Sequence, residues 1–244
     1  RNIIKINLFK FFLHQSDKII VNSYEFKKDL KNEFNVNAVT IYNPLNFKEI
    51  LTNSRKKSSK IFRNKKDLKI INIGRFTDQK DQMTLLRALN LIKNEIKFSA
   101  VLVGKGVLKD QLRNYIKKNK MNNCVKLNNF VENPFPLIKQ SDIFILSSKF
   151  EGLPNVLLEA LVLKKIIISS KCHTGPKEIL LNGKGGLLFQ VGDYKKLASL
   201  IKYFNKNKKT STIKKLLKNS YASLDRFDLN KNLEKYVSLI KSVR

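Results

Sequence analysis

Ile143-Phe144-Ile145-Leu146-Ser147-Ser148-Lys149-Phe150-Glu151-Gly152-Leu153-Pro154-Asn155-Val156-Leu157-Leu158-Glu159-Ala160 runs from one kind of backbone into another. The first four residues read as a buried strand. Ser147 to Gly152 are polar and rich in breakers, which is loop composition. Pro154 to Leu163 then reads as an apolar helix with Pro near its first turn. A strand that feeds a helix through a short loop is one unit of a parallel sheet wrapped by helices. The stretch also carries two carboxylates, Glu151 and Glu159, with seven residues between them. Glu151 falls on the loop at the mouth of the helix, and Glu159 falls about two turns in. A helix start offers free N–H groups to an anion, and carboxylates accept hydrogen bonds from sugar hydroxyls. The combination suits a sugar attached to a phosphate.

Outward from this stretch the same alternation continues. Strands are expected at Leu68–Ile73, Phe98–Val103, Val125–Leu127, Ile143–Leu146, Ile166–Ser169 and Gly186–Phe189. Helices are expected near Asp81–Lys93, Val107–Asn119, Asn133–Gln140, Pro154–Leu163 and Gly175–Leu181, then at Tyr194–Asn205, Ser211–Tyr221 and Leu229–Lys241. Residues 1–46 read as strand, helix, strand, with Ser23 as a helix N-cap and Phe26 and Leu30 on one face. A unit this small cannot bury both faces alone, so it is expected to be the remnant of a domain. The chain opens on Arg1 rather than Met, which fits an absent N-terminal portion. Residues 47–66 are polar and aperiodic and read as a linker. Residues 67–225 form the main domain, and 226–244 a final helix.

The bulk numbers exclude several classes. At 244 residues and 42% hydrophobic content a normal core is available. No apolar stretch is long enough to span a bilayer. The run from Ile3 to Leu13 lacks a cleavage site and is not a signal peptide. Cys124 and Cys172 are isolated, and only two histidines are present, His14 and His173. A metal site built on them is not expected, and the compartment expected is reducing, hence cytoplasmic. The net charge of +30 has two readings. It attracts a polyanion, such as an anionic membrane face on which the chain sits peripherally, or it reflects the Lys, Asn and Ile bias of an AT-rich genome. Clusters at Lys56-Lys57 with Lys60, Arg63, Lys65 and Lys66, and at Lys206 to Lys215, are placed to touch lipid headgroups. A nucleic-acid binder needs aromatic residues interleaved with its charge. Here the aromatics follow core spacing, so nucleic acid is not an expected partner.

In parallel sheets ligands bind outside the carboxyl ends of the strands, so the loops there hold the candidates. Arg75 and Lys80 flank the first such loop. They either clamp a diphosphate, Arg through its planar fork and Lys as a point charge, or are two more solvated cations. Gly104 and Gly106 permit close backbone approach to a ligand or simply make a tight turn. The full dinucleotide fingerprint is absent, so NAD is not inferred. Glu159 sits among Leu157, Leu158, Ala160 and Leu161, where a carboxylate is costly without a partner. The glutamate pair lacks the second acid that a glycosidase places to activate water. Thr174 and Gly175 open another helix and shape a sugar pocket or merely start the helix.

Four blocks carry a family likeness. They are Gly74-Arg75-Phe76-Thr77-x-Gln79-Lys80, Val103-Gly104-x-Gly106, the glutamate stretch, and Asn182-Gly183 to Phe189 with Val191-Gly192-Asp193. In this order they resemble the C-terminal donor-binding domain of the retaining GT-B glycosyltransferases of family four, the glycosyl transferases group 1. The resemblance implies an α/β fold, a Rossmann-like parallel sheet flanked by helices, with the N-terminal acceptor domain largely missing here. It implies that Arg75 and Lys80 bind the diphosphate and stabilise it as it leaves, and that Glu151 contacts the transferred sugar. It implies that Glu159 holds the ribose and that Gly74, Gly104 and Gly106 approach the donor. The backbone of Gly152, Leu153, Pro154 and Asn155 would meet phosphate and sugar, and Asn129 and Phe130 would lie by the base.

The co-substrate implied is a nucleotide sugar, UDP-linked in the first instance, with no metal and no other cofactor. The sequence has no Asp-x-Asp motif. Residues 171–180 are similar to members that transfer hexoses or N-acetylhexosamines to glycan or lipid-linked acceptors in polysaccharide or lipopolysaccharide biosynthesis. The alternatives are a nucleotide-sugar-binding fragment without turnover, and a basic nucleic-acid-binding protein.

Overall fold

The computed structural model describes residues 3–62, 64 and 66–243, with side chains from residue 6 onward. Arg63 and Lys65 of the first basic cluster lie outside the described residues. The chain begins with α1 (Ile3–Gln15), β1 (Ile19–Val21), α2 (Tyr24–Phe34) and β2 (Ala38–Thr40). Ser23 caps α2 by accepting from the Phe26 N–H at 3.1 Å. Asn35 ends it in the left-handed region (φ 54°). The two strands pair in parallel. Among the described residues, the buried apolar cluster between these elements is small: Val21, Leu30 and Ala38. Two strands and one helix cannot hold together on so little core, and the unit is docked against the larger domain.

The expected linker contains a helix, α3 (Phe47–Asn53). Asn46 caps it by accepting from the Glu49 N–H at 3.0 Å. Ile50 packs into the same apolar cluster as Leu137 and Leu161. Two turns of helix leave too short a period to stand out in a lysine-rich stretch, and burial of Ile50 decides the conformation. Leu45 bridges Asp228 in parallel just before this helix.

The main domain continues as β3 (Leu68–Ile73), α4 (Gln82–Ile92), β4 (Phe98–Val103), α5 (Lys109–Lys118), β5 (Val125–Asn128), α6 (Phe135–Gln140), β6 (Ile143–Leu146), α7 (Asn155–Val162), β7 (Ile166–Ser170), α8 (Pro176–Ile179) and β8 (Leu187–Phe189). Three helices follow, α9 (Tyr194–Asn207), α10 (Ser211–Ala222) and α11 (Leu229–Lys241). The helix expected through Leu181 stops at Ile179. Leu181 and Asn182 turn left-handed (φ 53° for both), which breaks the helical path.

The six strands form one parallel sheet in the order β5-β4-β3-β6-β7-β8. Their alternating residues feed two cores, as the two-residue strand period requires. Ile70, Ala100, Ile143, Ile145 and Ile168 face one side, with Leu85, Leu89 and Ile201 of α4 and α9. Ile71, Val101, Phe144, Leu146 and Ile167 face the other, with Leu157, Leu158 and Leu161 of α7. The sheet is thus the α/β, Rossmann-like arrangement expected.

The strand order has one consequence for function. After β3 the chain builds outward to β4 and β5, then returns to place β6 on the other side of β3. The loops after β3 and β6 therefore diverge at their carboxyl ends and leave a crevice, the usual ligand position in such sheets. The Arg75–Lys80 loop and the Glu151 loop are the two that flank it.

Candidate functional site

The loop after β3 is shaped by its own residues and by those of β4. Phe76 is fully buried, and its N–H donates to the Lys105 carbonyl at 2.9 Å. Buried Gln82 donates from Nε2 to the Arg75 carbonyl at 3.0 Å. Residues Asp78–Lys80 form one 3-10 turn, and Asp81 (φ 41°) then starts α4 in a left-handed conformation. Asp81 offsets that strain by capping, accepting from the Thr84 N–H and hydroxyl at 3.2 and 2.7 Å. The result folds the aliphatic stem of Lys80 back over Gly74.

The crevice loops are stitched together across the switch point. Gln79 Nε2 donates to the Phe150 carbonyl at 3.1 Å, and the Lys149 N–H donates to the Gln79 carbonyl at 2.8 Å. The buried Ser147 hydroxyl donates to the Lys80 carbonyl at 3.1 Å. Lys80 Nζ reaches both oxygens of Glu151 at 2.6 and 2.9 Å. Ser148 Oγ donates to Glu151 Oε1 at 2.5 Å. Glu151, read in sequence as an open acceptor on a loop, is engaged on both oxygens and only 6% exposed. The reason is proximity: at the switch point the nearest cation to this acid belongs to the neighbouring loop, and an acid so shielded needs one.

Arg75 and Glu159 line one cavity of about 480 Å³ together with Gly74, Gly104, Lys105 and Phe130. The volume is in the range of small-ligand sites. Glu159 is the fifth residue of α7, one turn into the helix rather than two, because α7 begins at Asn155. Burial pushes its carboxyl above the ordinary value of 4.5. A half-buried acid with a raised pKa in a cavity is a frequent mark of a functional group. Arg75 is exposed at the cavity wall. α7 itself starts without a side-chain cap; the Leu157 N–H donates to the Pro154 carbonyl at 3.0 Å, and the N–H groups of Asn155 and Val156 are left to a partner. Nothing approaches within 4 Å of where a Gly152 side chain would stand.

Other expected residues fall elsewhere. Gly106 (φ 154°) lies against the backbone of Phe76, and a Cβ there would stand 2.3 Å from the Phe76 carbonyl oxygen. Gly104 packs on Gly74 in the same way, with 2.0 Å to the Gly74 oxygen. These two glycines are needed for loop packing, and Gly104 also forms cavity wall. Asn129 is exposed and accepts from Lys109 Nζ at 2.5 Å. Leu153 and Pro154 turn their side chains into the interior, which leaves only their backbone toward the crevice. Asn155 accepts from Asn43 Nδ2 at 2.8 Å. The Thr174 hydroxyl donates to the Glu151 carbonyl. Gly175 (φ 81°) packs on Gly152, where a Cβ would stand 1.9 Å from the Gly152 oxygen.

Sequence reasoning passed over Lys105 and the wall residues Val131, Glu132 and Phe135. Lys105 Nζ lies 5.3 Å from the Phe130 ring centre, a cation–π distance. Its place between Gly104 and Gly106 was the available signal. Val131 and Glu132 lie on a loop and Phe135 opens α6, and only the fold sets their direction. Among the described residues no group of three or more His, Cys, Asp or Glu side chains is assembled to hold a metal ion. No helix among them is long and apolar enough to cross a membrane.

The sequence model of the glycosyl transferases group 1 matches residues 53–223. An uncharacterized glycosyltransferase of Methanocaldococcus jannaschii is 36% identical over 183 residues, covering 72% of this chain and 45% of that protein. A Campylobacter jejuni protein, N-acetylgalactosamine-N,N'-diacetylbacillosaminyl-diphospho-undecaprenol 4-alpha-N-acetylgalactosaminyltransferase, is 30% identical over 180 residues, 72% of this chain and 47% of that protein. The chain thus spans about half the length of these curated relatives. Among solved structures, a glycosyltransferase from Rickettsia africae superposes with a TM-score of 0.84 at 20% identity, over 97% of this chain and 67% of that one. Anabaena HepE, solved in complex with UDP, gives 0.78 at 19% identity, over 93% of this chain and 64% of that one. At such identities the structural likeness speaks for the fold.

Proposed function

The chain belongs to the glycosyl transferases group 1 family, and on that premise we propose that it is the donor-binding part of a retaining glycosyltransferase. The donor is a nucleoside-diphosphate sugar, UDP-linked in the first instance. The group moved is a hexose or N-acetylhexosamine, and the acceptor is a hydroxyl on a glycan or lipid-linked saccharide. Residues 67–225 hold the donor, while 1–46 and 226–244 belong to the acceptor side. The observation that carries the reading is the convergence of Arg75 and Glu159 on one cavity, with the Lys80–Glu151 pair beside its Gly74 wall.

Departure of the diphosphate is the hard event, because negative charge grows on it as the sugar–oxygen bond breaks. Arg75 presents a planar fork to its oxygens and Lys80 a point charge. The uncapped start of α7 adds N–H groups and a favourable dipole end. Glu159 accepts from the ribose hydroxyls. Phe130 and Val131 supply apolar wall for the base. As the diphosphate takes over Lys80, Glu151 is freed to accept from a hydroxyl of the transferred sugar. Charge neutralisation is assigned to these groups, and no metal enters the reaction.

Two of the similar proteins support the finer reading. The Campylobacter relative is named for an acceptor on diphospho-undecaprenol, and the HepE structure holds UDP. A lipid-linked acceptor calls for an anionic membrane surface as partner, not nucleic acid. Lys164, Lys165, Lys208, Lys209 and Lys214 surround a hollow of about 340 Å³ that offers such a contact.

Calorimetry with UDP and UDP-sugars tests the proposal, and a radiolabelled transfer assay reads turnover separately. Arg75→Ala is expected to weaken UDP binding by about 2 kcal/mol, as for a lost hydrogen bond to a charged group. Its thermal midpoint should stay put, because the residue is exposed. A chain that binds neither UDP nor any UDP-sugar would defeat the proposal.

A further inference from the structure

The N-terminal unit and the loop after β7 exchange carboxylates. Glu25, in the first turn of α2, accepts from the Gly175 N–H at 3.1 Å and pairs with Lys177 at 2.9 Å. Glu178, in α8, accepts from the Tyr24 N–H at 3.0 Å and from the Tyr42 hydroxyl. Each acid thus meets a donor at the start of the other's helix, where a negative charge is favoured. His173 Nε2 lies 3.0 Å from Asp29 beside the same clasp.

The residue that Glu25 holds is in turn packed on the candidate site. Gly175 sits directly against the Gly152 carbonyl, with no room for a side chain between them. Its neighbour Thr174 donates to the Glu151 carbonyl. A shift of Gly175 must therefore move the backbone at Glu151 and Gly152, since close-packed groups transmit displacement.

We propose that Glu25 is a positioning residue for the sugar-facing loop: by fixing Gly175 it sets the backbone of Glu151 and Gly152. This rests on the donor-site reading above for its effect on ligand, though its mechanical step does not. Arg75 and Phe130 lie on other elements, so the base end of a donor is remote from the clasp, while the diphosphate, beside Lys80 and the start of α7, is reached less directly than the sugar. The clasp couples the N-terminal unit to the donor site without giving it a contact to the donor.

The test uses the chain with Glu25→Ala and Glu25→Gln. Amide hydrogen exchange at residues 151–153 reads the mechanical step with no ligand added. It should speed up in Glu25→Ala and return to the native rate in Glu25→Gln, whose amide oxygen still accepts from Gly175. Calorimetry should find UDP affinity lowered less than UDP-hexose affinity in Glu25→Ala and unchanged in Glu25→Gln. Affinity for a UDP-hexose should fall about tenfold in Glu25→Ala only, the factor that a loss of about one good contact gives. Glu178→Ala opens the clasp from the other side and should give the same signature. Unchanged exchange at 151–153 in Glu25→Ala overturns the inference, as does an equal loss of UDP and UDP-hexose binding. Altered exchange in a chain that never binds UDP overturns the donor-site reading and leaves the positioning role standing.

Discussion

Lys80 Nζ lies 2.6 Å from Glu151 Oε1, and this ion pair joins two loops separated by 71 residues in sequence. Both groups are withdrawn from water, at 17% and 6% side-chain exposure. Breaking one side of such a pair costs far more than removing both, because a lone shielded charge remains. Lys80→Ala is expected to lower unfolding free energy by about 3 kcal/mol, the lower end for such losses. Lys80→Met combined with Glu151→Gln should recover most of this, since Ser148 keeps an acceptor and no charge is stranded. Neither variant should regain UDP affinity. Urea unfolding paired with calorimetry checks both halves, and a double variant as unstable as the single one would show that the pair does not act as a unit.

Glu159 gives a pH dependence of definite sign. Burial raises its carboxyl above 4.5, so the folded chain holds that proton more tightly than the unfolded chain does. Its contribution to stability is fully present below the ordinary value and is lost as pH rises through the raised one. Glu159→Gln should remove that slope and make the protein more stable than the parent at neutral pH. The same variant should bind UDP more weakly, by about 1.5 kcal/mol for a hydrogen bond to a charged acceptor. Thermal unfolding across the acid range, parent against variant, reads the slope directly.

Gly152 and Gly175 touch, yet substitution should affect them oppositely. Gly175 has φ 81° and no room, since a Cβ there would stand 1.9 Å from the Gly152 oxygen. Gly175→Ala is therefore expected to cost about 3 kcal/mol through overpacking and backbone strain. A Cβ on Gly152 meets nothing within 4 Å. Gly152→Ala should leave the thermal midpoint within a degree or two of the parent's, while crowding the space at the start of α7 and weakening UDP-sugar binding. An inert Gly152→Ala in the binding assay would move the sugar away from this loop.

Much of this molecule was readable from the chain alone. Strands Leu68–Ile73, Phe98–Val103 and Ile143–Leu146 stand where apolar runs and breakers place them, because a strand buried on both faces must be apolar throughout. The motif loops were found for a related reason: glycine, proline and charge interrupt those runs, and in a parallel sheet they do so at the ligand end. What the chain alone left open depends on which loops become neighbours. Glu151 and Lys80 meet, Glu25 reaches Gly175, and Lys105 joins the cavity wall only because β6 inserts beside β3 and the start of α2 docks on α8. Hydrophobic periodicity is a local property and survives in the sequence. Partner choice among polar side chains is set by distances across the fold, and in a chain with 49 Lys and Arg residues no local pattern marks which cation each acid will find.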